Sequence, residues 1–221
     1  MLNPNLMITM SALRYNFPHT GQKQSTNWPR FFSANARSYA FDNRACGYAR
    51  GEGVACLLLK PLKTAIADGD PIRGVLRGTG INQDGKTPGI TVHNGIAQED
   101  LIRSVYQAAG LGPQHTTYVE AHGTETPTGD PIEARAISHV FNERAARAGP
   151  LLISSIKTNI GHLEGASGVA GVIKTVLMLE KGKILPNLHY EKPNDKIDME
   201  KWGLEAGFGF LVLMPFVLML C

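Results

Sequence analysis

Cysteine is scarce and poorly spaced: Cys46, Cys56 and Cys221 form an odd set with no Cys-x-x-Cys pair. That argues against a disulfide framework and a cysteine zinc site, and it fits a reducing, cytoplasmic setting. A strong charge bias is also lacking. The formal balance is +3, with basic residues spread along the chain, so neither nucleic acid nor a membrane surface is expected as a partner. The seven histidines contain no His-x-x-x-His or His-Glu-x-x-His arrangement, which leaves no local signal for a catalytic metal. Residues 1–10 lack the basic region and long apolar run of a secretory signal. The apolar stretch from Ala206 to Cys221 is interrupted by Pro215 and is shorter than the roughly 20 residues of a membrane helix. It reads as an aggregation hazard rather than an anchor.

What is present is enough apolar content, 43% of 221 residues, for one sizeable core or for half of a larger two-part domain. Gly53 to Leu59 carries a short apolar run suited to a buried strand. Asn94 is placed to cap a helix in which Ile96, Leu101, Ile102, Val105, Tyr106 and Ala109 recur at helical spacing until Gly110. Thr117 to Ala121 and Leu151 to Ser154 read as further strands. Asp130, Pro131 and Glu133 supply an N-cap, a first-turn proline and a capping-box acid for the helix between them. Leu163 to Lys181 reads as a helix opening on small residues that permit close backbone approach. Strands alternating with helices predict a layered α/β domain with its chemistry in the loops at strand ends.

Gly80, Gly85, Lys86 and Thr87 have the spacing of a phosphate-binding P-loop. Pro88 and Gly89 follow where uninterrupted helical residues should point their amides at an anion, so nucleotide binding is not expected. His122 and His162 differ from the other histidines. Each follows an expected strand and precedes an expected helix in a glycine-containing loop, which would bring two imidazoles to one sheet edge. An isolated histidine in such a place is most simply a structural residue satisfied by nearby backbone, and only its neighbours argue otherwise.

Those neighbours form long motifs. Val119 to Glu133, Val-Glu-Ala-His-Gly-Thr-Glu-Thr-Pro-Thr-Gly-Asp-Pro-Ile-Glu, resembles the first histidine motif of β-ketoacyl synthases, especially those of iterative type I polyketide synthases. Lys157 to Gly171, beginning Lys-Thr-Asn-Ile-Gly-His-Leu-Glu-Gly, resembles the second. Tyr39 to Asp42, Arg44 to Gly53 and Asn82 to Thr91 resemble other segments of that family, and the last of these makes the P-loop spacing a coincidence. The resemblance covers most of residues 31–204, identified with the carboxy-terminal ketosynthase region, while residues 1–14 resemble the end of the amino-terminal half. Residues 15–30 are surplus to the pattern and read as an insertion, and 205–221 as an aberrant tail in which Gly207-Phe-Gly-Phe210 only echoes a family active-site loop.

The resemblance implies a thiolase-like α/β/α/β/α sandwich, mainly its second half, and a homodimer in the full-length enzyme. It implies condensation of a malonyl-type extender with an acyl thioester, each carried on the phosphopantetheine arm of acyl carrier protein, without a metal or redox cofactor. By the same resemblance His122 and His162 are catalytic and Lys157 supports the site, while Thr124 and Thr126 bind the pantetheine arm; ordinary loop capping is their simpler reading. Glu125 stands where the family has a small residue, often glycine, and is expected to crowd the pantetheine channel or repel the extender's carboxylate. Cys46 and Cys56 read as packing residues. The family's Thr-Ala-Cys-Ser nucleophile motif is expected before Met1, so these residues read as a fragment without its acyl-holding thiolate and inactive alone. A fatty acid synthase ketosynthase is the nearest alternative. A non-catalytic remnant or carrier-protein-binding module is another, and a P-loop nucleotide binder a third.

Overall fold

The structure, a computed structural model, describes residues 6–15, 32–87, 93–142, 147 and 149–206. The expected insertion beyond Tyr15, Pro88 and Gly89, and the tail beyond Ala206 lie outside the described residues.

The described strands form two sheets of three. In the first, β1 (Leu6–Tyr15) lies between β2 (Gly53–Pro61) and β3 (Val75–Leu76) and is antiparallel to both. A short helix, α1 (Leu62–Ala67), follows β2, and α2 (Gly95–Ala109) comes after β3. In the second sheet β4 (Tyr118–Glu120), β5 (Leu151–Ser154) and β6 (Leu204–Ala206) run parallel in that order. Helix α3 (Gly129–Asn142) crosses from β4 to β5. One turn, α4 (Lys157–Ile160), leaves β5, and α5 (Ser167–Lys181) follows it. Glu205 and Ala206, assigned by sequence to the tail, pair with Leu152 and Ile153.

Local chemistry sets both ends of α2. Asn94 Oδ1 accepts hydrogen bonds from Ile96 N and Ala97 N at 3.1 and 3.2 Å, and Gly110 ends α2 with φ 63°. Val119, Leu151 and Ile153 of the parallel sheet pack with Ile102 and Tyr106 of α2 and Ile137 and Phe141 of α3. The Tyr106 and Phe141 rings meet edge to face at 5.3 Å. Each such buried side chain contributes about 1.5–3 kcal/mol of apolar burial, and together they fix the sheet ends from which the histidine loops emerge.

Several expectations change. Strand β2 is buried on one face only. Leu57 packs against Val172 and Val176 of α5, whereas Val54 and Leu58 are 79% and 62% exposed, because alternate side chains of a strand point to opposite faces. Cys56 shares that outward pattern and Cys46 is exposed on a loop, so neither is a packing residue. The helix expected from Leu163 begins at Ser167, preceded by a 3₁₀ turn over Glu164–Ala166. Asp130 and Glu133 lie inside α3, and their carboxylates serve other segments instead of capping it. Gly80, the first glycine of the P-loop spacing, is a packing glycine: a Cβ there would fall 2.4 Å from Val105 Cγ2.

Candidate active site

His122 and Lys157 each follow the carboxyl end of a parallel strand, where an α/β sheet exposes its loops. The segment after β4 is held by acids from α3. Glu133 takes His122 N on Oε1 at 2.6 Å and Gly123 N on Oε2 at 2.8 Å, and Asp130 takes Phe41 N and Glu125 N, both at 2.8 Å. Burial pushes both carboxyls upward, Asp130 to about 7, although the amide donors pull the other way.

His162 is positioned by a close crossing of two backbones. His162 N donates to Ala49 O at 2.7 Å and Gly51 N donates to His162 O at 3.0 Å. A Cβ on Gly51 would lie 2.3 Å from Ile160 O, and one on Gly161 (φ 74°) 2.9 Å from Ala49 O, so the crossing needs glycine on both sides. The His162 ring packs on Tyr48 with centroids 4.7 Å apart. Its Nδ1 accepts a hydrogen bond from Glu164 N at 2.9 Å. An amide can only donate, so the neutral ring carries its proton on Nε2.

The two imidazoles converge as the sequence predicted, with ring centroids 5.9 Å apart and planes 85° apart. Burial, reinforced by the nearby Lys157 cation, lowers both pKa values, that of His122 to about 3. Both rings are therefore neutral N–H donors at neutral pH. Lys157 is buried, and its Nζ donates to His122 O at 2.6 Å. Burial lowers its pKa against the opposing pull of Glu133, Glu120, Glu125 and Asp130. His122, His162 and Lys157 all line one cavity of about 340 Å³, with His93, Gln98, Glu120 and Ser167 among the other walls.

The remaining expected site residues sit differently. Thr126 Oγ1 accepts from Gly129 N at 2.8 Å, which is loop capping, and neither Thr126 nor Thr124 lines the cavity. Glu125 does not crowd that cavity either. Its side chain is wholly buried, its φ is 61°, and neither carboxyl oxygen makes a hydrogen bond of ordinary geometry. Burial pushes its pKa to about 8; the nearby Ser38 hydroxyl only partly opposes this, and the Asp130 charge adds to it. The acid is mostly protonated at pH 7. Sequence reasoning missed His93, whose ring lies 6.3 Å from that of His122. It follows residues outside the description and belongs to no histidine motif, so nothing local marks it. Among the described residues no group of three or more His, Cys, Asp or Glu side chains is arranged to hold a metal.

Comparison with known proteins gives a consistent assignment. Residues 73–191 match the family model described as beta-ketoacyl synthase, C-terminal domain, and residues 19–65 match its N-terminal counterpart. The reducing polyketide synthase PKS1 of Cochliobolus heterostrophus is 58% identical over 206 residues, 93% of this chain and 7% of that protein. The highly reducing polyketide synthase tstA of Talaromyces stipitatus is 58% identical over 180 residues, 81% of this chain and again 7% of the relative. The ketosynthase from module 6 of the bacillaene synthase of Bacillus subtilis superimposes with a TM-score of 0.79 at 42% identity, covering 82% of this chain and 33% of that one. Ketosynthase twelve of the bacillaene synthase of Bacillus amyloliquefaciens gives 0.83 at 33% identity, covering 95% and 38%. The chain thus spans a small part of its curated relatives and about a third of each solved ketosynthase.

Proposed function

The chain belongs to the β-ketoacyl synthase family, as a thiolase-like ketosynthase region of a type I polyketide synthase, and from that premise we propose that His122, His162 and Lys157 serve decarboxylative Claisen condensation. The extender is a malonyl-type thioester on the phosphopantetheine arm of acyl carrier protein. The observation that carries this reading is the pair of neutral imidazoles 5.9 Å apart on one cavity wall.

The chemistry follows from their protonation state. When the malonyl C–C bond breaks, carbon dioxide departs and the electron pair stays as an enolate, with negative charge developing on the thioester oxygen. The His162 Nε2–H, fixed by the Glu164 amide on Nδ1, and an N–H of His122 donate to that oxygen. Such donors strengthen as charge develops, so they stabilise the transition state more than the ground state. The carbanion then attacks the acyl thioester carbonyl, a C–C bond forms and the thiolate leaves, giving a β-ketoacyl product on the carrier. Lys157 holds the His122 carbonyl, and so acts through the loop. Thr124 and Thr126 contact the pantetheine arm; the hydroxyl proton of Thr126 remains free to donate after its oxygen has accepted from Gly129 N. The working form in this reading is a cytosolic homodimer.

The 221 residues contain no Thr-Ala-Cys-Ser sequence, and Cys46 and Cys56 do not line the cavity. A second reading is that the 221-residue polypeptide binds carrier protein without condensing anything. Carbon dioxide release and β-ketoacyl formation from malonyl carrier protein separate the two. The assay compares this polypeptide with one in which it is joined to a Thr-Ala-Cys-Ser-containing half. Condensation by the joined protein, lowered about 100-fold or more by His122→Ala or His162→Ala, supports the catalytic reading. Carrier binding without turnover in both proteins supports the second.

A further inference from the structure

We propose that Glu120 is a positioning residue: supported by Lys174, it sets the spacing between the His122 loop and Lys157 by holding the main chain at Ile156. Glu120 ends β4 two residues before His122, and Ile156 immediately precedes Lys157. Glu120 Oε1 accepts from Ile156 N at 2.6 Å. The loop of bonds then closes on itself: from Ile156 the chain steps to Lys157, Lys157 Nζ donates to His122 O at 2.6 Å, and His122 leads back along the main chain to Glu120. Among the described residues the other ties between these two segments are Lys157, the Ala121 N donation to Ser154 O at 2.8 Å where the strands end, and the longer Ser155 hydroxyl contact to His122 O at 3.3 Å.

The other carboxylate oxygen is committed to a buried cation. Lys174 Nζ lies 2.7 Å from Glu120 Oε2 and donates to Ser154 Oγ at 2.6 Å and Tyr118 OH at 3.0 Å, while the Tyr118 hydroxyl also donates to Glu120. Both side chains of the pair are 2% exposed. Apolar residues of similar volume usually serve stability as well as a buried ion pair does. A fully satisfied buried polar network also fixes the arrangement of the groups it joins, through the acceptors and donors it supplies. Here the groups are the ends of β4 and β5 and the helix that follows His162.

The test is an NMR titration of the His122 imidazole in the 221-residue chain, comparing the wild type with two double variants. Glu120→Gln/Lys174→Met and Glu120→Leu/Lys174→Met both remove the two buried charges together, so neither leaves one unpaired. Glutamine retains a carbonyl oxygen for Ile156 N, whereas leucine does not. In the wild type His122 titrates near 3 because it is buried beside Lys157. The glutamine double variant is expected to follow the wild type, and the leucine double variant to titrate about one pH unit or more higher as Lys157 and the loop separate. Equal midpoints in the two double variants overturn the proposal, whether or not they match the wild type. Should the leucine protein fail to fold, Glu120→Asp replaces it: the charge for Lys174 remains but the carboxylate withdraws from Ile156 N, and an unshifted midpoint then overturns the proposal. The inference rests on reading His122 as a site residue. Its readout is a titration and not turnover, so a failed condensation assay and a failed titration are separate results.

Discussion

Glu125→Gly removes a buried acid from a backbone position that disfavours any side chain. In the fold the carboxyl titrates near 8, whereas the unfolded chain has its ordinary value of 4.5. The folded state therefore holds a proton that the unfolded state gives up. The stability contributed by the protonated acid is fully present below pH 4.5 and is lost as pH rises, until the loss is complete above about pH 8. At about 1.36 kcal/mol per pH unit, the 2.5 units between 4.5 and pH 7 amount to about 3 kcal/mol, and the penalty is still under about 1 kcal/mol at pH 5. Relief of the φ 61° conformation adds about 1 kcal/mol in favour of glycine. Glycine's larger unfolded-state entropy and the space left by the side chain oppose it by about 1–3 kcal/mol together. Those last terms do not depend on pH. Urea unfolding of both proteins at pH 5 and pH 7 should thus show the stability difference moving in favour of glycine by about 2 kcal/mol between the two conditions. Equal differences at the two pH values would refute the argument, because they would mean that the carboxyl is solvated or paired.

Acidification has the opposite sign at His122, whose pKa falls from 6.5 to about 3 on folding: its contribution is present above pH 6.5 and lost as pH falls toward 3. His122→Asn should flatten the loss of stability between pH 6 and 4, measured by urea unfolding across that range. Gly161→Ala should destabilise the chain by about 3 kcal/mol, through a left-handed φ and a Cβ placed against Ala49 O, and should be visible as a lowered thermal midpoint. Gly80→Ala should cost about 1–3 kcal/mol from its clash with Val105. Lys86→Ala, at an exposed position, should leave the melting temperature unchanged and reveal no ATP affinity to lose in equilibrium dialysis.

The parts of the fold legible in the sequence were those with local causes. Asn94 and Gly110 bound α2 because each acts on residues within a few positions of itself. The parallel strands at 118–120 and 151–154 were visible as short apolar segments. Convergence of His122 and His162 could be anticipated because β4 and β5 are neighbours in one sheet, although the α4 turn comes between β5 and His162. Asp130 was misread for the same reason that caps were read correctly. It has the residue type and spacing of a cap, but its partner Phe41 is 89 positions away and wins the carboxylate. Exposure of Val54 and Leu58 was hidden because an apolar run does not reveal whether one face or both faces of its sheet are covered. His93 joins the site through tertiary packing alone.

The amide of Glu164 on His162 Nδ1 has a consequence for proton traffic. A histidine with two accessible nitrogens can take a proton at one and release it at the other, and so act as a conduit. With one nitrogen occupied by a main-chain donor, the ring has a single port. It can become an imidazolium only by giving up that bond, so within the fold it works as a fixed dipole, facing its cavity with the same hydrogen whatever the solvent outside supplies or withdraws.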